Sequence, residues 1–326
     1  MAGPVACLAV PAPPDTDGGV GPNHVMTVHN AEMRVTDRSG NEQLRMPHAE
    51  FWTAATNGVS LLPFIGTAHD PRVLYDPLAS RWIVTASGDR FSTNSSLLVA
   101  VSHSDDPTGE WNRYQLHAST NGQHTIDYPN VGFNAHWIAV HCNVRTITNY
   151  TEAAGRLYVF NKQSLYAGGP ADPVRFELGS EELTMSPAAT HDPLEDSLYL
   201  VHFPPTRIMP QVSEITGPLG AEVLNLNIAT AAVNDTWSAL PPSPVGFAPQ
   251  PGTTNVINTA GERIWSSTFR NGSIWFAHTI YLPTLLPERS SVQWWQVDPD
   301  GAVRQRGQVD DPTGEIFYST PSLAVN

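Results

Sequence analysis

Asp76-Pro-Leu-Ala-Ser-Arg-Trp-Ile-Val84 returns later in the chain as Asp192-Pro-Leu-Glu-Asp-Ser-Leu-Tyr-Leu200. In both, a tight polar turn opened by Asp-Pro runs into an apolar, strand-length segment. Asn258-Thr-Ala-Gly-Glu-Arg-Ile-Trp-Ser266 has the same layout. An extended segment precedes each, so the unit reads as strand, hairpin, strand. Two further copies carry a hairpin two residues shorter: Asp15-Thr-Asp-Gly-Gly-Val-Gly-Pro-Asn-His24 aligns with Asp127-Tyr-Pro-Asn-Val-Gly-Phe-Asn-Ala-His136. The closing Ser319-Thr-Pro-Ser-Leu-Ala-Val-Asn326 reads as one more first strand.

The repeats start near Asp15, Asp70, Asp127, Ser186, Thr253 and Thr320. Each interval has room for about four strands of ordinary length with their turns. Between the turns lie runs such as HVMTVHN, RWIVTAS, LLVAVSH, HWIAVHCN and SIWFAHT, rich in β-branched and aromatic residues. Helical periodicity is scarce, and 29 Pro and 24 Gly punctuate the chain. These features predict an all-β chain forming one β-propeller domain over residues 1–326, of about six four-stranded repeat units. Six residues follow Thr320, so the sixth unit is expected to be incomplete, with five blades as the alternative and truncation as a third reading. An incomplete blade leaves strand edges open and favours a homodimer through that edge.

Composition narrows the function. The formal net charge is −14, against any nucleic-acid partner. No run of eighteen apolar residues predicts a membrane span, and no signal peptide is visible. The two cysteines, Cys7 and Cys142, are too few and too far apart for a disulfide framework or a zinc site, and read as free thiols. No GxSxG elbow, Walker loop, HExxH or CxxC pair is present.

Several motifs together carry a family resemblance: PPDTDGGVGPNHV, VLYDPLASRWIV, SHSDDPTGEW, DYPNVGF and PSLAVN. Over roughly Pro13 to Asn326 the chain resembles a group of exported bacterial β-propeller proteins without an assigned activity. The resemblance implies a propeller that is secreted or associated with the cell envelope. It supplies no catalytic residues.

Site candidates therefore come from the repeat. First strands of propeller blades run along a channel, and ligands bind at such mouths. The repeat puts Asp15, Asp70 and Asp127 in equivalent places. Three converging carboxylates would need a cation or protons between them, and hard oxygen ligands suit Ca²⁺ or Mg²⁺, Ca²⁺ first. The alternative is that each aspartate caps backbone N–H groups in an Asx-turn. His69 and His124 flank the expected site as candidate general bases. Tyr128 is a further catalytic candidate, and His191, Tyr318 and Glu315 are candidates for substrate binding. The reading is a hydrolase using the divalent metal on an ester, phosphoester or lactone, with a small-molecule or carbohydrate substrate. The alternatives are a glycan- or protein-binding propeller, or a glycosidase using paired carboxylates. The hexapeptide DDPTGE, at 105–110 and 310–315, reads as a shared turn solution, with only the second copy approaching the channel.

Overall fold

The computed structural model describes residues 15–53, 55–56, 59–60, 65–206, 209–243 and 246–325; Cys7 lies outside them. The chain is all-β with two short helices, and its sheets are the up-and-down blades of a β-propeller. The first blade runs β1 (Asp17–Val20), β2 (His24–Val28), β3 (Glu32–Asp37), β4 (Glu42–Pro47). Helix α1 (His48–Thr53) and the two-residue strands β5 (Ala55–Thr56) and β6 (Val59–Ser60) follow. The second blade is β7 (Ala68–Asp76), β8 (Arg81–Gly88), β9 (Ser96–Ser102), β10 (Trp111–His117). The third is β11 (His124–Phe133), β12 (Trp137–Thr146), β13 (Glu152–Asn161) and, after α2 (Lys162–Tyr166), β14 (Val174–Glu177). The fourth is β15 (Ser186–Thr190), β16 (Leu198–His202), β17 (Gln211–Thr216), β18 (Val223–Thr230). After a small hairpin of β19 (Ala248–Pro249) and β20 (Val256–Ile257), the fifth is β21 (Ser267–Arg270), β22 (Ser273–Leu282), β23 (Arg289–Val297), β24 (Val303–Val309).

The first strands of successive blades pair in parallel. Phe133 of β11 lies opposite Ala189 of β15, and Ala188–Thr190 lie opposite Ser267–Phe269 of β21. Gly132 makes the first of these approaches possible: a β-carbon there would stand 2.4 Å from the carbonyl oxygen of Pro187. The glycine in DYPNVGF is therefore a close-approach residue.

The chain divides into two compact bodies. The first takes the described residues up to Val131, with 142–156 and 160–173; the second takes 132–141, 157–159 and 174–325. In the first, Trp52, Trp82 and Trp111 pack with Met26, Met33, Phe51 and Leu98. Phe51 meets Trp52 and Trp111 edge-on at 5.1 and 5.2 Å. In the second, Trp237, Phe276 and Trp295 join Phe269, Ile274 and Val297. Removing each such side chain from water is worth about 1.5–3 kcal/mol.

The opening motif gives the first body a polar anchor. Asp76, at the end of β7, is fully buried. It accepts from the Leu78 N–H at 2.9 Å, the Lys162 ammonium at 2.9 Å and the Tyr166 hydroxyl at 2.7 Å. Its turn is thereby tied to α2, eighty-six residues on in the sequence.

The structure differs from the sequence reading in two places. The fifth blade opens at Ser267, not at Thr253. No strand covers 258–266, because that segment wraps the Tyr281 hydroxyl, which accepts from the Gly261 N–H and bonds Thr259 Oγ1. The hairpin lies beyond it at Asn271-Gly272, where φ values of 54° and 76° fit a type I′ turn. The sixth first strand is also absent: residues 320–325 form no strand. The Tyr318 N–H instead donates to the Ser290 carbonyl, and the Thr320 N–H to Thr279 Oγ1. Among the described residues there are five four-stranded blades.

Candidate functional site

Two of the three repeat aspartates meet in the first body. Asp70 interrupts β7 at a bulge, where the register against β8 shifts between His69 and Arg72. It precedes Pro71 and holds φ at 52°. Tyr128 precedes Pro129 in β11 and holds φ at 54°. A residue before proline favours extended backbone, so both sites store strain. Hydrogen bonds hold them in place. The Asp70 N–H donates to Asn30 Oδ1 at 2.8 Å, and the Tyr128 N–H donates to Asp70 Oδ2 at 3.4 Å.

Arginines fill the space around the carboxylates. Arg90 Nη1 lies 3.5 Å from Asp70 Oδ2, and its Nη2 lies 3.2 Å from Asp127 Oδ1. Arg145 Nε donates to Asp127 Oδ2 at 2.9 Å. Arg90 also donates to the Tyr150 hydroxyl. The loop presenting Arg90 is fixed by Asp89. Asp89 Oδ1 accepts from the N–H groups of Gly66 and Thr67 at 2.9 and 3.0 Å, and Oδ2 from Asn94 at 2.6 Å. The Phe91 and Tyr150 rings lie 4.6 Å apart, tilted by 48°, and Phe91 is exposed.

Burial and the adjacent Asp70 carboxyl hold Asp127 above the usual carboxylate range, against the pull of Arg90 and Arg145. Burial and the charge of Asp127 push the Tyr150 hydroxyl up to about 12. Burial, with Arg90 nearby, lowers His69 below the ordinary imidazole range. Arg90 is raised: burial opposes its charge, but Asp127 and Asp70 outweigh it.

The remaining candidates have these surroundings. Asp15 is bound by Asn30 Nδ2 at 2.8 Å and reaches the pair only through that amide. His124 lies in β11 three residues before Asp127. An odd separation along a strand sends the two side chains to opposite faces. The Tyr128 ring lies under the Arg72 guanidinium at 5.1 Å and is not open for stacking on that face. His191, Glu315 and Tyr318 belong to the second body. His191 follows the last residue of β15, at the opposite end from Ser186, and meets Phe133 edge-on at 5.8 Å. Glu315 is exposed, with its N–H capped by Asp311 at 3.1 Å.

A divalent cation does not fit the donors around Asp70 and Asp127. Guanidinium groups already occupy the carboxylate faces, and among the described residues no three His, Cys, Asp or Glu side chains gather to hold a metal. The two DDPTGE segments share one turn. Asp106 and Asp311 each accept from the Thr two residues on, through its N–H and its hydroxyl. Sequence reasoning missed Arg72, Arg90, Phe91, Arg145 and Tyr150. They lie in strands and turns of no distinctive motif, and only the fold brings them to the aspartates.

No protein-family model matches the chain, and no curated protein matches it. Among solved structures it is similar to an exo-β-1,3-galactanase from Clostridium thermocellum, at 8% identity and a TM-score of 0.41, over 87% of this chain and 59% of that one. It is similar to a xylan β-1,4-xylosidase from Bacillus halodurans C-125, at 10% identity and 0.41, over 95% and 59%. An exo-1,5-α-L-arabinanase from a bovine ruminal metagenomic library matches at 10% and 0.41, over 89% and 96%. The chain thus spans 59% of the length of the galactanase and of the xylosidase. At these scores the likenesses assign no residue a role. Among the described residues no helix is long and apolar enough to cross a membrane.

Proposed function

We propose that the chain is a glycoside hydrolase with Asp70 and Asp127 as its acid–base pair. One observation carries the reading: buried Asp127 and half-buried Asp70 lie together, and Asp127 is held above the usual range. Two carboxyls too close to ionise together share a proton, which sets one as acid and the other as base. In this reading the Asp127 proton passes to the glycosidic oxygen as the C–O bond breaks. Water supplies the new hydroxyl, and its proton returns to the Asp70–Asp127 pair, which is again singly protonated. Exposed Phe91, backed by Tyr150, offers an apolar face to a sugar ring.

The test is a panel of aryl glycosides and polysaccharides. Asp127→Asn and Asp70→Asn should each lower kcat by about a hundredfold or more. Activity should persist in EDTA, because the positive charge beside the carboxylates comes from Arg90 and Arg145. No turnover by the native protein across the panel refutes the reading.

A second reading is glycan binding without turnover. It is favoured by the partners both carboxylates already have in Arg90, Arg145 and the Tyr128 N–H. Saturable binding to an unchanged glycan would establish it.

A further inference from the structure

Residues 236–261 make the longest stretch of the chain without Asp, Glu, Lys or Arg, and residues 271–287 also hold none. The one histidine in these stretches, His278, is buried and lowered to about 3 by that burial, so it is neutral at ordinary pH. The second body joins the two stretches at Tyr281. Tyr281 and Ser238 exchange both backbone bonds, at 3.0 and 3.1 Å, and the Gly261 N–H donates to the Tyr281 hydroxyl at 3.1 Å.

From this uncharged region stands the loop Pro283-Thr-Leu-Leu-Pro-Glu288, between β22 and β23. Leu285 is 91% exposed and Leu286 78%; Leu240, two residues past Ser238, is 69% exposed. The loop is held from below. Leu282 pairs with Arg289, the Glu288 N–H donates to the Leu282 carbonyl at 2.8 Å, and Thr284 Oγ1 donates to the Thr236 carbonyl at 2.9 Å. The prolines on either side of the leucines carry no N–H, and the Thr284 hydroxyl is already bonded. The tip therefore offers few donors that an apolar phase would strand. Arg289, just beyond it, is held by Asp310 at 2.8 Å.

Shape and charge together name the occupant. Side chains this exposed touch little of their own protein, so a partner of fixed shape finds no wall beside them to close against. Lipid chains flow around a protruding group and need none. A second copy of the chain brings a net charge of −14 towards another −14, and an anionic lipid surface meets the same repulsion. A zwitterionic surface does not.

We propose that the 283–287 loop docks the protein on a zwitterionic phospholipid surface, with Leu285 and Leu286 inserted at the boundary between headgroups and acyl chains. The protein would lie on the membrane through this tip. The inference is independent of the carbohydrate reading, whose residues belong to the first body.

The experiment floats the full chain with phosphatidylcholine vesicles. Two leucines carry fewer carbons than a myristoyl chain, which binds at about 10⁴ M⁻¹, so half-binding is expected at roughly 1–10 mM lipid. Leu285→Ser with Leu286→Ser should lower the bound fraction about tenfold or more at the same lipid concentration. Leu285→Met with Leu286→Met should keep it, because insertion reads apolar surface and not the shape of leucine. Replacing about a third of the lipid by phosphatidylglycerol should weaken binding, and added salt should reverse that loss. Both positions are open to solvent, so the variants should keep the native urea midpoint; the Met pair and the lipid comparison keep the test decisive if the Ser pair does not. Native protein that fails to float at about 10 mM phosphatidylcholine overturns the proposal. So does a Ser pair that floats like the native chain, or tighter binding to the anionic vesicles. A native dimer seen by sedimentation, lost in the Ser pair and accompanied by no flotation, also overturns it and gives the leucines to a second copy.

Discussion

Lys162 is the only lysine in the chain, and it is buried on Asp76 with its side chain 1% exposed. Lys162→Met keeps most of the side-chain volume and removes the ammonium. Asp76 then remains buried as a carboxylate with two donors, the Leu78 N–H and the Tyr166 hydroxyl. Breaking a buried pair from one side typically costs about 3–5 kcal/mol, because the other charge is stranded. The two surviving donors place this case at the low end, about 3 kcal/mol. With a urea dependence of about 3 kcal/mol per molar, the unfolding midpoint should fall by about 1 M. Asp76→Asn in the Lys162→Met background removes the stranded charge and should recover half or more of the loss. The assay is equilibrium urea unfolding followed by tryptophan fluorescence. A loss below about 1 kcal/mol, or a double variant no more stable than the single one, refutes the claim that this pair anchors the β7–β8 turn to α2.

Three further outcomes are expected. Burial lifts Glu262 from 4.5 to about 7, although the Trp237 indole N–H, 3.3 Å away, pulls it down. A raised carboxyl stabilises the fold fully below its unfolded value and loses that contribution as pH rises through the folded one. Stability should therefore fall by up to about 3 kcal/mol between pH 4.5 and 7. Glu262→Gln should flatten that slope in urea unfolding, and an unchanged slope rejects the assignment. Gly132→Ala should destabilise by about 1–3 kcal/mol in the same assay, because its β-carbon meets the rigid backbone of Pro187 and Ala188. Asp70→Gly should be more stable than Asp70→Ala by about 1 kcal/mol, since glycine accepts the positive φ at no steric cost; the reverse order in thermal unfolding contradicts the strain.

The strand–turn–strand repeat was legible because period-2 apolar runs and Asp-Pro turns are local signals. It located Asp70 and Asp127 without contact information. It misplaced the fifth blade because Arg263-Ile-Trp-Ser266 has the composition of a strand, whereas Tyr281 claims the neighbouring backbone through its hydroxyl. The better local signal was Asn271-Gly272. For His124 the limit of the sequence is different: proximity along a strand does not put two side chains on one face. The arginines were not legible at all, since a guanidinium gains a role only through partners that the fold supplies. Arg145 and Asp127 are eighteen residues apart in adjacent strands, and Arg90 reaches them from another blade.

The repeat and the site are nevertheless one piece of chemistry. A first strand that bends sharply along its length puts a pre-proline residue at positive φ, as at Asp70 and Tyr128. Such a bend exposes the N–H of the bent residue, and these two N–H groups are taken by Asn30 and by Asp70 itself. Asp70 is therefore both a strained backbone position and the acceptor that relieves the next one. That coupling fixes its carboxyl beside Asp127 with little freedom, and it explains why arginines rather than a metal complete the cluster. Rigid guanidinium forks suit two carboxyls already held in place. A divalent cation would require six or more oxygens to converge, and among the described residues no three His, Cys, Asp or Glu side chains do so. The turn chemistry that defines the blades thus also selects the charges that can gather at their ends.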